Sequence, residues 1–128
     1  MTDQPPTDLP PTDLWPTEVR LPESRDALII SFENGASFTL PAEYLRVESP
    51  SAEVQGHAPQ DKKIVPGKRH VRISTVEPVG NYALRIIFDD GHDTGIYPWN
   101  TLYRYGEEQA DTFAAYLNAL DARGLSRD

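Results

Sequence analysis

The chain has 128 residues, a formal charge of −8 from 12 basic and 20 acidic side chains, and 38% hydrophobic content. That length allows one domain around one core and no second domain to close a cleft against it. The acidity argues against binding the nucleic-acid backbone, which needs clustered cations, and no apolar run is long enough to cross a bilayer. With no cysteine there is no disulfide, no thiolate nucleophile and no ordinary iron–sulfur ligand set. The N-terminus has neither a basic n-region nor an apolar h-region, so a cytoplasmic protein is expected.

Residues 1–16 carry five of the twelve prolines and repeat Pro-Pro-Thr-Asp-Leu in tandem. Proline fixes φ and removes amide donors, so a disordered, polyproline-like tail is expected there. Its apolar anchors Leu9, Leu14 and Trp15 could serve as a docking peptide, or the segment could be a solvated leader. One domain is expected over 17–124.

From Thr17 the pattern is that of strands. Glu18–Leu21 alternates, and Ala27–Phe32 and Ser37–Leu40 flank Asn34-Gly35, which predicts a hairpin with a type I′ turn. Pro41 opens one helical turn through Arg46, ahead of a loop at Ser49-Pro50. Val71–Val76 and Tyr82–Phe88 are predicted strands joined by a turn over 78–81. In the second, Tyr82, Leu84, Ile86 and Phe88 share a face opposite Ala83, Arg85 and Ile87. Asp89-Asp90-Gly91-His92-Asp93 turns the chain into Thr94–Tyr97. Pro98–Tyr105 is predicted as a helix stopped by Gly106, and Glu107–Arg123 as another with Phe113, Tyr116, Leu117 and Leu120 facing the core. The class is therefore α+β: a small antiparallel sheet domain of meander and hairpin strands with C-terminal helices.

No hydrolase elbow, zinc-protease helix or dinucleotide fingerprint occurs. Asp89, Asp90 and Asp93 read as turn formers. Lys62, Lys63, Lys68, Arg69 and Arg72 concentrate basic charge between Gln55 and Arg72, as a solvated loop or as a seat for phosphate or an acidic surface.

Ser49–His57, Val76–Ala83 and the run from Asp90-Gly91-His92 to Tyr97 together resemble the N-terminal domain of the gamma-butyrobetaine hydroxylase family, over roughly Thr17–Gly106. In the hydroxylase that domain holds zinc through three cysteines and the histidine of an Asp-Gly-His turn. By the resemblance the cysteine places fall on Ser49, Ser51 and Val54, and His92 keeps the histidine. Serine and valine do not supply the thiolates that structural zinc wants, so the inherited site is expected to be absent and no cofactor is expected. His57, if folded back toward His92, would give with Asp90 or Asp93 a two-histidine, one-carboxylate set for zinc or iron. Otherwise both histidines are loop residues, or one bonds Ser49 or Ser51 in place of the metal.

The resemblance implies a stand-alone domain without the hydroxylase's oxygenase half. Similar domains look to be appended to scaffolds that assemble iron–sulfur clusters, which implies an accessory role. The expectation is a non-catalytic binding or adapter domain with a protein partner and no nucleic-acid or membrane ligand. Its surface would comprise His57, His92, Ser49 and Ser51, with Lys62, Lys63, Lys68 and Arg69 at the rim. A small metal-dependent enzyme using His57 and His92 is the alternative.

Overall fold

A computed structural model describes residues 14–128; the tandem proline repeat lies outside the described residues, apart from its last leucine. Two three-stranded antiparallel sheets each follow chain order, β1 (Pro16–Arg20), β2 (Ala27–Phe32), β3 (Ser37–Pro41) and β4 (Ile73–Val79), β5 (Ala83–Phe88), β6 (Gly95–Pro98). Each sheet runs directly into a helix, α1 (Ala42–Val47) after β3 and α3 (Trp99–Ala122) after β6. Between the halves lie the short α2 (Ala52–Gln55) and a 3-10 turn at Pro59–Asp61, neither of them expected from the sequence. The fold is α+β.

The two halves are built alike. Ala27, Leu28, Ile30 and Phe32 recur as Ala83, Leu84, Ile86 and Phe88, and Gly35 recurs as Gly91. In both hairpins the Phe carbonyl accepts from the glycine amide, at 3.0 and 3.1 Å, and the Phe amide donates to the residue after that glycine, at 2.8 and 3.0 Å. Gly35 and Gly91 adopt φ of 90° and 91°, while Asn34 is not among the residues of positive φ. Both turns are therefore type I followed by a glycine bulge, not the expected type I′, because only one residue in each takes the left-handed region.

The inward faces of both sheets form one core: Leu28, Ile30, Phe32 and Leu40 meet Ile73, Leu84, Ile86, Phe88 and Tyr97. On β5 Leu84, Ile86 and Phe88 are buried as expected and Arg85 and Ile87 half-buried, while Ala83 is also enclosed and Tyr82, expected on the inner face, is exposed because it precedes the strand in the turn. β4 runs from Ile73 through Pro78 to Val79, starting two residues and ending three residues later than the sequence suggested. Proline is tolerated there because β4 pairs only with β5.

The two expected C-terminal helices are one. Gly106 lies inside α3, and a Cβ there would come within 2.3 Å of Phe38 Cγ. The glycine is a notch for an aromatic cluster in which Phe38 and Phe32 meet Tyr103 edge-on at 5.3 and 5.1 Å. The helix stops where expected: Gly124 takes φ 66°, and the amides of Gly124 and Leu125 return to Asp121 and Leu120 in a Schellman cap. Of the aromatic stripe, Tyr116 and Leu120 are buried with Val47, Phe113 is half-buried, and Leu117 is exposed.

Four tyrosine hydroxyls donate to main-chain carbonyls: Tyr97 to Leu45 at 2.6 Å, Tyr105 to Glu48 at 2.6 Å, Tyr44 to Tyr105 at 2.7 Å and Tyr116 to Val65 at 2.5 Å. The first two satisfy carbonyls at the end of α1 that have no helical partner. They also fix the segment that follows, where the polar site lies.

Candidate functional site

The loop after α1 crosses the β5–β6 hairpin. Ser51 caps α2 by accepting from the Glu53 amide at 3.2 Å, which turns the chain so that Ser49 and Ser51 face the hairpin. Gly95 permits the approach, since a Cβ there would stand 2.7 Å from Ser49 Oγ. On the hairpin side Asp90 Oδ1 accepts from the His92 amide at 3.1 Å, and the glycine bulge aims the imidazole inward.

Ser49 Oγ and His92 Nε2 lie 2.9 Å apart, and Ser51 Oγ and Thr94 Oγ1 lie 2.7 Å apart. Thr94 also donates to Glu53. The resemblance thus predicts the right neighbours: the residues at two cysteine places reach the hairpin, one of them bonding the histidine, while Val54 is buried in the same turn. What joins the loop to the hairpin is a set of hydrogen bonds, one of them accepted by the Glu53 carboxylate. The donor set, two hydroxyls, one imidazole and a valine, does not fit structural zinc.

Burial, chiefly, and the nearby Arg46 guanidinium hold the His92 pKa below the usual imidazole value, against the opposing pull of Glu53, Asp90 and Asp93. Its Nδ1 lies 3.9 Å from Glu53 Oε1, too far for a hydrogen bond. Ser49, His92 and Glu53 therefore follow the order of a hydrolytic triad with its serine–histidine contact but without its histidine–carboxylate one. Ser49 is 0% exposed, so its hydroxyl is closed to a substrate in this conformation.

Asp90 is the charged centre of the site. Its Oδ2 takes Arg46 Nε at 2.8 Å and Lys68 Nζ at 2.6 Å. Although burial opposes it, the hydrogen bonds from Lys68, the His92 amide and Arg46 bring the Asp90 carboxyl down to about 2. Arg46 Nη1 is enclosed without a hydrogen-bond partner among the described residues.

The remaining expected site residues do not converge. His57 is exposed and makes no hydrogen bond or ion pair among the described residues; the contacts of His92 are Ser49, Asp90, Glu53 and Phe88. Asp93 turns to Arg85, at 3.8 Å. Among the described residues, no three His, Cys, Asp or Glu side chains gather as a metal would require. The two-histidine, one-carboxylate set is thus not assembled, because the loop turns outward after Gly56, whose φ of 69° ends α2.

The basic cluster is dispersed as well. Lys62 pairs with Glu48 at 2.5 Å, Lys68 with Asp90 and Arg69 with Asp128 at 2.6 Å, whereas Lys63 is exposed and unpaired among the described residues. Outside Ser49, Pro50 and Gln55 line a polar cleft of about 590 Å³ with Glu48, Lys62, Arg104, Glu108 and Thr112. Sequence reasoning missed Arg104, Glu108 and Thr112. Their spacing on one helix face would have marked them only if α3 had been read as continuous through Gly106.

The described residues hold no helix long and apolar enough to cross a membrane. A comparison with curated proteins finds no match. Among solved structures, two solution NMR structures share 43% and 44% identity with this chain, each at a TM-score of 0.76. The first comparison covers 89% of this chain and 90% of the other, and the second 98% and 91%. A crystal structure of a protein of unknown function of the DUF971 family from Acidithiobacillus ferrooxidans is 38% identical at a TM-score of 0.58, over 70% of this chain and 89% of that one. Residues 19–103 match the family described as gamma-butyrobetaine hydroxylase-like, N-terminal, and the chain belongs to that family.

Proposed function

We propose that this chain is a non-catalytic binding or adapter domain of the cytoplasm that holds a protein partner and takes neither nucleic acid nor membrane as ligand. The observation that carries this reading is the direction in which the polar residues face. Ser49 and His92, the groups most suited to chemistry, are enclosed and spent on each other. Immediately outside them the same loop forms one wall of the cleft, with Lys62 and Gln55 facing Arg104 and Glu108 of α3. Groups fixed on a helix and a tyrosine-anchored loop suit recognition. The recognition surface is this cleft with exposed His57 and Lys63 on the same loop; Ser49, Ser51 and His92 position it from beneath. The resemblance to domains appended to cluster-assembly scaffolds supports a partner from iron–sulfur or other metalloenzyme systems.

The test is quantitative affinity capture from the native host with wild type and a Lys63→Glu, Arg104→Glu double variant whose fold is verified by circular dichroism. A partner lost only with the variant supports the cleft as the surface. A partner list that the variant leaves unchanged overturns that assignment, and an empty list overturns the adapter reading.

A further inference from the structure

The last residues of the chain occupy a built seat. The carbonyls of Ser126 and Arg127 accept from the amides of Gly67 and Arg69, both at 3.0 Å, so the main chain of this segment is tied to the 67–69 loop. Arg127 turns inward, where Nε and Nη2 donate to the two carboxylate oxygens of Glu43 at 2.8 and 2.6 Å. Its guanidinium carbon is 5.5 Å from the centre of the Phe113 ring. Asp128 completes the contact by accepting from Arg69 Nε at 2.6 Å.

The seat dictates what it takes. The Glu43 side chain is 7% exposed, and a carboxylate so enclosed needs a cation. Whatever displaces residues 126–128 must bring one with it. Two parallel N–H donors matched to two oxygens select a guanidinium over an ammonium, and the Phe113 face adds to that preference. Beside Arg127 a groove of about 360 Å³ opens between α1 and α3, walled by Pro41, Tyr44, Phe113 and Leu117. The tail's own apolar residue, Leu125, is 40% exposed and does not line this groove. A segment with an apolar side chain next to its arginine would bury surface that the tail leaves uncovered.

We propose that Glu43, Phe113 and the loop amides of Gly67 and Arg69 form a receptor for an arginine-bearing segment of a partner protein, which the chain's own residues 126–128 occupy in cis. The tail is an intramolecular competitor, present at the high effective concentration of a tethered ligand. Binding in trans is therefore weak until the tail is displaced.

The probe is the peptide acetyl-Leu-Ser-Arg-Asp, the sequence of residues 125–128, titrated into the full-length chain and followed by amide NMR. In the Arg127→Ala chain it shifts the Gly67, Arg69 and Phe113 amides and binds about tenfold or more tighter than to wild type. The same peptide with lysine for arginine binds about tenfold weaker, and Glu43→Gln added to Arg127→Ala abolishes the shifts. Absence of shifts in a folded Arg127→Ala chain, or equal binding after Glu43→Gln, overturns the proposal. If Arg127→Ala does not fold, excess peptide must move the wild-type Ser126–Asp128 resonances to free-tail positions; their staying in place overturns it too. An Arg127-dependent dimer in sedimentation would overturn the partner reading in favour of tail exchange between copies.

Discussion

Substituting Ser49→Cys, Ser51→Cys and Val54→Cys together should turn a hydrogen-bonded crossing into a zinc site with His92 as fourth ligand. Ser49 Oγ and His92 Nε2 are 2.9 Å apart. Two ligands on tetrahedral zinc, with Zn–S about 2.3 Å and Zn–N about 2.0 Å, stand about 3.5 Å apart. The crossing must open by about 0.6 Å, a shift that side-chain torsions on a loop and a hairpin tip can supply. Without metal the variant gives up the Ser49–His92 and Ser51–Thr94 bonds, at about 1 kcal/mol each. Free zinc at a hundred times its Kd then returns about 2.7 kcal/mol. For a domain of this size that is a difference on the order of 10 °C in Tm between zinc and chelator. The assay is thermal unfolding in both conditions with zinc content by mass spectrometry, and adding His92→Ala should remove most of the effect. A folded triple variant that retains no zinc would refute the claim that these four positions converge.

Three further outcomes follow from single contacts. Ser49→Ala leaves His92 Nε2 and the Ser51 amide without a partner, and should cost about 1–3 kcal/mol in urea unfolding; a loss under 0.5 kcal/mol would mean that the bond is not made. Because folding lowers the His92 pKa, the unfolded chain takes up the proton first. Stability contributed by neutral His92 is complete above about pH 6.5 and should fall below it, at up to about 1.4 kcal/mol per pH unit, a slope absent in His92→Gln. Gly106→Ala gains about 1 kcal/mol of helix propensity but overpacks against Phe38 by about 2–3 kcal/mol, so it should lower Tm; in a Phe38→Ala background it should raise Tm, and the same sign in both would refute the notch.

Most of the strands were legible because their alternation is strong: β2 falls on the predicted residues Ala27–Phe32, and β5 begins one residue inside its prediction. The turn type was not, since Asn34-Gly35 is compatible with type I′ and the choice of a bulge was made by the pairing around it. Gly106 misled for a related reason. Glycine reads as a stop in a local pattern, and only the Phe38 ring, far away in sequence, explains it inside a helix. At the site, the resemblance placed Ser49, Ser51 and His92 together, which no spacing rule would have done. It did not show that His57 turns outward, because that depends on the backbone at Gly56. The cleft residues of α3 and the Glu43–Arg127 contact join segments separated widely along the chain, and neither has a local signature.

The four tyrosine hydroxyls that donate to main-chain carbonyls, two of them holding the loop after α1, also set an upper pH limit on the folded state. Burial raises all four phenols, with Tyr105 and Tyr116 pushed up to about 12 and Tyr44 and Tyr97 further still. None can ionise without giving up a main-chain carbonyl, so in alkali the folded chain keeps protons that the unfolded chain releases near pH 10. Four such groups acting together make the loss of stability steep, approaching about 5 kcal/mol per pH unit. The tyrosinate absorbance of these four, out of six tyrosines in the chain, would therefore appear in one cooperative step with unfolding, and the domain carries in these phenols its own optical report of whether the fold is in place.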